Sequence, residues 1–297
     1  MDMQADSESL GWANGDDRLR CPRQDTEVIP IDSTVGTDLA AVRSAIRRQT
    51  WTGPTSGACL GSVQANLVIL PADLAGDFRT FCSQNPRPLP LLDMTAPGDP
   101  HPRRVAPGAD LRTDLPRYRV YRHGVLTDEP LNLRDLWRDD FVAFLLGCSF
   151  TAEQQLLDGG VRLRHLELGP NVPMYRTSRR CEPSEHFWGP LVVSMRPILR
   201  KEVDLAREIT GRFPYAHGAP VQVGDPGALG IGDLSAPDWG DAIALQADEV
   251  PVFWACGVTP QAVVQEVRPE IAITHAPGHM FITDLRDEQI QDMPVGD

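Results

Sequence analysis

A layered α/β fold, with a smaller α+β subdomain inserted into it, is predicted by three features of this 297-residue chain. Short apolar runs alternate with amphipathic segments: NLVILP (66–71), then a helix with Leu74, Phe78 and Phe81 inward, then PLPLLDM (88–94). That is the βαβ rhythm of an α/β domain, and it returns after Pro190. Two proline-rich breaks, PGDPHP (97–102) and CEPSEHFWGP (181–190), bracket a stretch of different texture. The length also suffices for one large or two modest domains. The expected division is an acidic tail over 1–36, a main domain from 37–103 plus 189–286, an inserted subdomain at 104–188, and a second acidic tail at 287–297.

Taken in order, residues 1–36 lack hydrophobic periodicity and predict disorder. DLAAVRSAIRRQTW (38–51) places Leu39, Val42 and Ile46 on one helical face. In the expected insertion, RYRVYRHGVLTDEP (117–130) alternates like a hairpin turning at His123-Gly124, and LWRDDFVAFLLG (136–147) predicts a buried helix. TAEQQLLDGG (151–160) predicts a helix capped by Thr151, and VRLRHLEL (161–168) alternates again. Beyond Pro190 come LVVSM as a strand, a helix around Lys201, a glycine-rich stretch (218–233) and EVPVFWACG as a strand. TPQAVVQEV (259–267) follows as a helix, with Thr259 as cap and Pro260 at its first turn, and then the strands EIAIT and MFITD.

Composition excludes several classes. The 41% hydrophobic and 23% charged content is that of an ordinary soluble protein, and no apolar run is long enough to span a bilayer. The N-terminus lacks the basic flank and apolar stretch of a secretory signal. The cysteines at 21, 59, 82, 148, 181 and 256 form no CxxC pair, so a reducing, cytoplasmic location is expected. A net charge of -13 gives no means of holding a row of phosphates. Lys201 is the sole lysine and sits on a solvated helix face, which argues against Schiff-base and pyridoxal phosphate chemistry. No glycine pattern supports a nucleotide site. No cofactor is expected, and the oligomeric state is open, a homo-oligomer included.

Chemistry is expected just beyond the strand ends, at Asp93, at Ser194 and Arg196, at Cys256-Gly257, and at His275 to His279. The HxxxH spacing of His275 and His279 would suit zinc on a helix, but Pro277 and Gly278 forbid that helix, so no metal site is assigned. A tight turn bringing imidazoles and amides to a ligand is the preferred reading; a merely structural turn is the alternative. Cys256 precedes a helix start, where a thiolate could be stabilised, though a small core residue is the commoner role. The amides of Gly257, Val258 and Thr259 could bind a carboxylate there. GPNVPMYRT (169–177) offers Asn171, Tyr175 and Arg176 from a polar loop, with a surface salt bridge the plain alternative for Arg176. Arg112 and Asp114 divide the same way.

The segments VQANLVILP, APGADLRTDLPRYRVYR, FVAFLLGCSF, GPNVPMYRT, VVSMRPI, FPYAHGAPVQVGDP, PVFWACGVTPQA and ITHAPGHMFITD resemble the D-glutamate cyclase family over residues 39 to 286. The resemblance implies a hydro-lyase that closes D-glutamate, a small acidic amino acid, to 5-oxo-D-proline and water. That reaction needs a base for the amine, donors for an oxyanion and an acid for the departing hydroxide. His275 and His279 are the expected acid/base pair, with His217 in YAHGAP in reserve. Arg176 or Arg196 would hold the α-carboxylate, and Asn171 and Asp225 would orient the amine. Two alternatives are a non-catalytic binder of a small acidic metabolite and a metal-dependent hydratase.

Overall fold

A computed structural model describes residues 38–169 and 171–292. Helix α1 (Leu39–Arg47) opens them, capped by Asp38, whose carboxylate accepts from the Ala40 amide. Next come β1 (Ser62–Pro71), α2 (Ala72–Gln84), β2 (Leu91–Met94), β3 (Tyr118–Arg122), β4 (Val125–Asp128) and β5 (Phe141–Gly147). Two short helices, α3 (Glu153–Asp158) and α4 (Arg164–Leu168), lead to β6 (Met174–Arg180), β7 (Pro190–Leu199) and α5 (Val203–Gly211). The chain continues with β8 (Gln222–Val223), β9 (Glu249–Ala255), α6 (Thr259–Val267), β10 (Ile271–His275) and β11 (Phe281–Arg286).

Two sheets carry these strands. The larger runs β2-β5-β1-β10-β3-β4, with β11 also on β1; the smaller runs β6-β7-β9-β8. The α/β class holds, but the pairings within both sheets are antiparallel. The β1-α2-β2 unit is present, yet β5 lies between its two strands, so a βαβ rhythm in sequence becomes a split one in space.

That placement corrects two expectations. Residues 136–147 were expected as a helix, but FVAFLLG is the strand β5, buried along its whole length. An unbroken apolar run carries no period that separates a doubly covered strand from a buried helix. Residues 104–188 were expected as an insertion, but β3, β4 and β5 are built into the sheet of β1 and β10. The second break is also tied into the body. Asp77 of α2 accepts from the Ser184 hydroxyl and the His186 amide, and Phe187 stacks edge-on against Phe78 at 5.1 Å.

Smaller corrections follow from local bonding. VRLRHLEL contains α4 rather than a strand. Thr151 caps no helix; its hydroxyl accepts from the Gln64 amide. The Thr259 hydroxyl bonds the Cys256 carbonyl instead of a helix amide. The acidic tail expected from residue 287 starts later, since Asp287 is fully buried and its amide donates to the Gly61 carbonyl. The expectation for residues 1–36 lies outside the described residues.

Strand β1 positions the functional site. Its odd-numbered residues Val63, Ala65, Leu67 and Ile69 enter one core, and Val68 and Leu70 enter the core on the opposite face, under α2 and α6. One edge of β1 pairs without a break to β5 from Ala65 to Pro71. Its other edge is shared: Val68 pairs with Thr274 of β10, and Ala65 pairs with Phe281 of β11. Three steps on β1 thus face seven on its neighbour, so β10 and β11 are one interrupted strand with four extra residues looped out. The THAPGH stretch is that loop.

Candidate functional site

Interrupting the strand leaves the backbone of Leu67 without a ladder partner on that edge, and an imidazole takes the place. His275 Nδ1 lies 3.2 Å from the Leu67 amide nitrogen and 3.3 Å from its carbonyl oxygen. The ring is 1% exposed, and its Nε2 has no hydrogen-bond partner. Burial pushes its pKa down to about 3, so it is neutral at pH 7.

His275 lines a pocket together with residues from both sheets. The loop contributes Gly278 and Met280; β1 contributes Asn66; the turn after β5 contributes Cys148, Ser149 and Phe150. From the smaller sheet come Met174, Ser194 and the Cys256-Gly257-Val258 corner after β9, with Asn171, Val172 and His217 completing the wall. Two contacts between asparagine and glycine set its shape. A Cβ on Gly257 would sit 1.9 Å from Asn66 Nδ2, and one on Gly278 would sit 2.6 Å from Asn171 Nδ2. Only glycine permits these approaches, and Gly278 also has φ +81°. The loop is held by the Asn171 side chain, which donates to the Pro277 carbonyl, and by Thr55, whose hydroxyl accepts from the Met280 amide.

His217 is the second imidazole of the pocket. Its Nδ1 donates to the Arg87 carbonyl at 2.7 Å, which leaves Nε2 as an acceptor, and burial pushes its pKa down to about 4. His279 lies outside the lining; its Nδ1 bonds the Pro277 carbonyl within its own loop. Of the three expected histidines, the pocket lining therefore brings together His275 and His217 and not His279. The reason is local bonding, because the His279 ring is tied to the Pro277 carbonyl within the loop.

Several expected residues have other work. Arg196 is buried behind the pocket wall, bonded to Glu153 at 2.8 Å, with its guanidinium over the Trp254 ring. Arg176 bonds the Gln265 side chain and stacks on Trp239. The Tyr175 hydroxyl donates to the Leu234 carbonyl at 2.8 Å, and Asp225 accepts from the Gly227 amide in a turn. Asp93 accepts the amides of Arg104 and Val105, Asp114 is held in a two-bond fork by Arg47, and Arg112 pairs with Asp110. Thr259 lies beneath the pocket corner, bonded to Cys256 and Val192. Cys256 does line the pocket, but burial raises its thiol to about 11, outweighing the Val258 amide that approaches its sulfur. It is a protonated wall residue, not a thiolate.

Beneath the wall lies a buried charge cluster without any sequence pattern. Glu153 Oε1 accepts from Arg196 and contacts His165 Nε2, both at 2.8 Å. Burial acts to raise the Glu153 carboxyl, but His165 and Arg196 outweigh it and hold it below its ordinary value. Asn66 was also missed, although an asparagine inside SVQANLVILP is a legible signal, since a buried amide must have a purpose. Among the described residues no group of three or more His, Cys, Asp or Glu side chains is placed to hold a metal ion.

The pocket brings together two neutral imidazoles, two serine hydroxyls and a glycine corner. Comparison with known proteins narrows the class. The D-glutamate cyclase family profile matches residues 142–284. A protein named "Putative hydro-lyase" from Stutzerimonas stutzeri is 58% identical over 84% of this chain and 95% of its own length. One of the same designation from Geobacillus kaustophilus is 57% identical, over 84% and 94%. Another, from Bacillus subtilis, is 54% identical, over 84% and 97%. A solved structure, the nitrogen repressor-like protein MJ0159 from Methanococcus jannaschii, shares 11% identity at TM-score 0.35 over 81% of this chain and 97% of its own, a likeness too slight to inform the site. The class to which the relatives' names point is that of the hydro-lyases. The chain belongs to the D-glutamate cyclase family.

Proposed function

We propose that the chain closes D-glutamate to 5-oxo-D-proline with loss of water, in the pocket beneath the THAPGH loop. The observation that carries this is the presence of His275 and His217 in one pocket, both neutral, with His275 Nε2 unpartnered and His217 Nε2 left as the acceptor nitrogen. Ring closure joins the α-nitrogen to the γ-carboxyl carbon and releases one carboxyl oxygen. The ammonium gives up two protons in all, and the departing oxygen takes two. A relay of two neutral imidazoles balances that exchange, each taking one proton and giving one.

In the empty pocket these rings are weak bases, with pKa values near 3 and 4. A substrate carboxylate beside them raises both toward the useful range. Apolar walls from Phe150, Val172 and Met280 disfavour the charge of the γ-carboxylate and so favour passing it the first of the two ammonium protons through an imidazole, which gives the neutral carboxyl that an amine can attack. The Gly257 corner offers backbone amides to the tetrahedral oxyanion. Five described cysteines are free and buried, which supports work in a reducing compartment, the cytoplasm. No helix among the described residues is long and apolar enough to cross a membrane.

Incubating the protein with D- and L-glutamate and measuring 5-oxoproline by chiral chromatography tests the reading. Product from the D-isomer, lost in His275→Ala, is the expected result. Binding of D-glutamate without product would make the protein a binder, and activity abolished by chelation would require a metal.

A further inference from the structure

The geometry points to a carboxylate-binding floor in this pocket, made by the hydroxyls of Ser149 and Ser194 and set by Arg196 from behind. Its assignment to the spectator α-carboxylate rests on the D-glutamate reading. Ser149 follows β5 and Ser194 lies within β7, so the larger and smaller sheets each supply one hydroxyl, and both line the pocket. Both are buried, at 9% and 2% exposure. Arg196 Nη2 donates to Ser149 Oγ at 3.2 Å, and its Nη1 donates to Ser194 Oγ at 3.4 Å.

A guanidinium has donors only. Each serine oxygen therefore spends a lone pair on Arg196, and each hydroxyl hydrogen must point elsewhere. Neither hydroxyl has an acceptor among the described residues, so both hydrogens are free for a group in the pocket. Arg196 is itself fixed: Nη2 also bonds Glu153, and the plane lies over the Trp254 ring at 5.6 Å. Glu153 is fixed in turn by His165. The result is two O–H donors backed by a buried cation that the substrate never touches.

Such a floor accepts a carboxylate and rejects a carboxamide, whose oxygen would accept from one hydroxyl while its NH₂ faced the other, donor to donor, and left that hydroxyl unsatisfied. It also says which carboxyl binds. A carboxylate held by two hydroxyls above a guanidinium stays ionised and is a poor electrophile. The floor therefore holds the α-carboxylate, and the γ-carboxyl reaches the imidazoles and the Gly257 corner. Ser149 and Ser194 are substrate-binding residues; Arg196 is a positioning residue.

The test compares D-glutamate, D-glutamine, D-isoglutamine and glutarate in binding to the wild type and to Ser149→Ala, Ser194→Ala and the double variant, with folding checked by circular dichroism. Saturation-transfer NMR and calorimetry read binding, and initial rates give KM and kcat. The wild type is expected to bind D-isoglutamine, whose α-carboxyl is an amide, about tenfold or more weakly than D-glutamine. In the double variant that preference should fall below about threefold, with KM raised and kcat changed far less. Arg196→Lys, which keeps the charge but not the fork, should lose the same preference, and should add little in the double-serine background. An unchanged preference in the double variant, a loss seen only in kcat, or failure of every carboxylate to bind the wild type overturns the floor. Should glutarate bind and depend on the serines while D-glutamate gives no 5-oxoproline, the floor stands and the proposed reaction falls. Should the double variant not fold, the single variants must each weaken the preference, and two unchanged singles overturn the inference.

Discussion

His275 and His217 are held differently, and the difference sets what each can be asked to do. His217 Nδ1 is tied to the Arg87 carbonyl, so its tautomer is defined and Nε2 is the lone-pair side. His275 can either accept from or donate to Leu67, so its Nε2 serves in either sense, which suits the member of a relay that both takes and returns a proton. Replacing either by Ala is expected to lower kcat by about 10² to 10⁴. His279→Ala should cost less than about tenfold, because its ring bonds its own loop and leaves the lining intact. Steady-state rates on the three variants check this ordering, and a His279 variant as dead as the His275 variant would overturn it. In the free enzyme the neutral rings are the active forms, so kcat/KM should fall only as pH drops through about 4, where burial has placed the His217 pKa.

At the level of elements, the interrupted strand and the corner after β9 decide whether the pocket exists. Gly257→Ala would drive a methyl into the Asn66 amide, and Gly278→Ala adds a strained backbone to a clash with Asn171. Each should destabilise by about 1–3 kcal/mol and close the pocket. Gly76 is the contrast: it lies inside α2, where an added methyl group would meet nothing within 4 Å, so Gly76→Ala should stabilise by up to about 1 kcal/mol. Denaturation midpoints and activity of the three variants check this, with the opposite signs as the diagnostic.

Across the whole molecule, buried neutral histidines make stability depend on pH. The pKa values of His217, His275 and His279 are lowered in the folded state to about 4, 3 and 4, from an ordinary value of 6.5. Below pH 6.5 the unfolded chain binds protons that the folded chain refuses, so the stability present above 6.5 is lost as pH falls toward 4. Each such histidine contributes a slope of up to about 1.4 kcal/mol per pH unit in that window. Urea unfolding at pH 7, 6 and 5 should show a steep decline, and His217→Gln should make it shallower. A decline unchanged in that variant would place the acid sensitivity in the carboxylates instead.

Much of this was written in local pattern. The start of α6 follows from Pro260, the β3-β4 turn from His123-Gly124, and the break at THAPGH from a proline and glycine set between two apolar runs. Family membership too was legible, because long segments carry it. Sequence could not reveal that FVAFLLG is a strand inserted between β1 and β2, since burial on both faces erases the period that distinguishes helix from strand. Nor could it join Glu153 to His165 and Arg196, or His275 to His217, because those pairs form only when β1, β7 and the turn after β5 converge. A sequence records which side chains are adjacent along one strand or helix turn. Which of the two loop imidazoles lines the pocket was decided where four residues are looped out, a register fixed only by the strand pairing on β1.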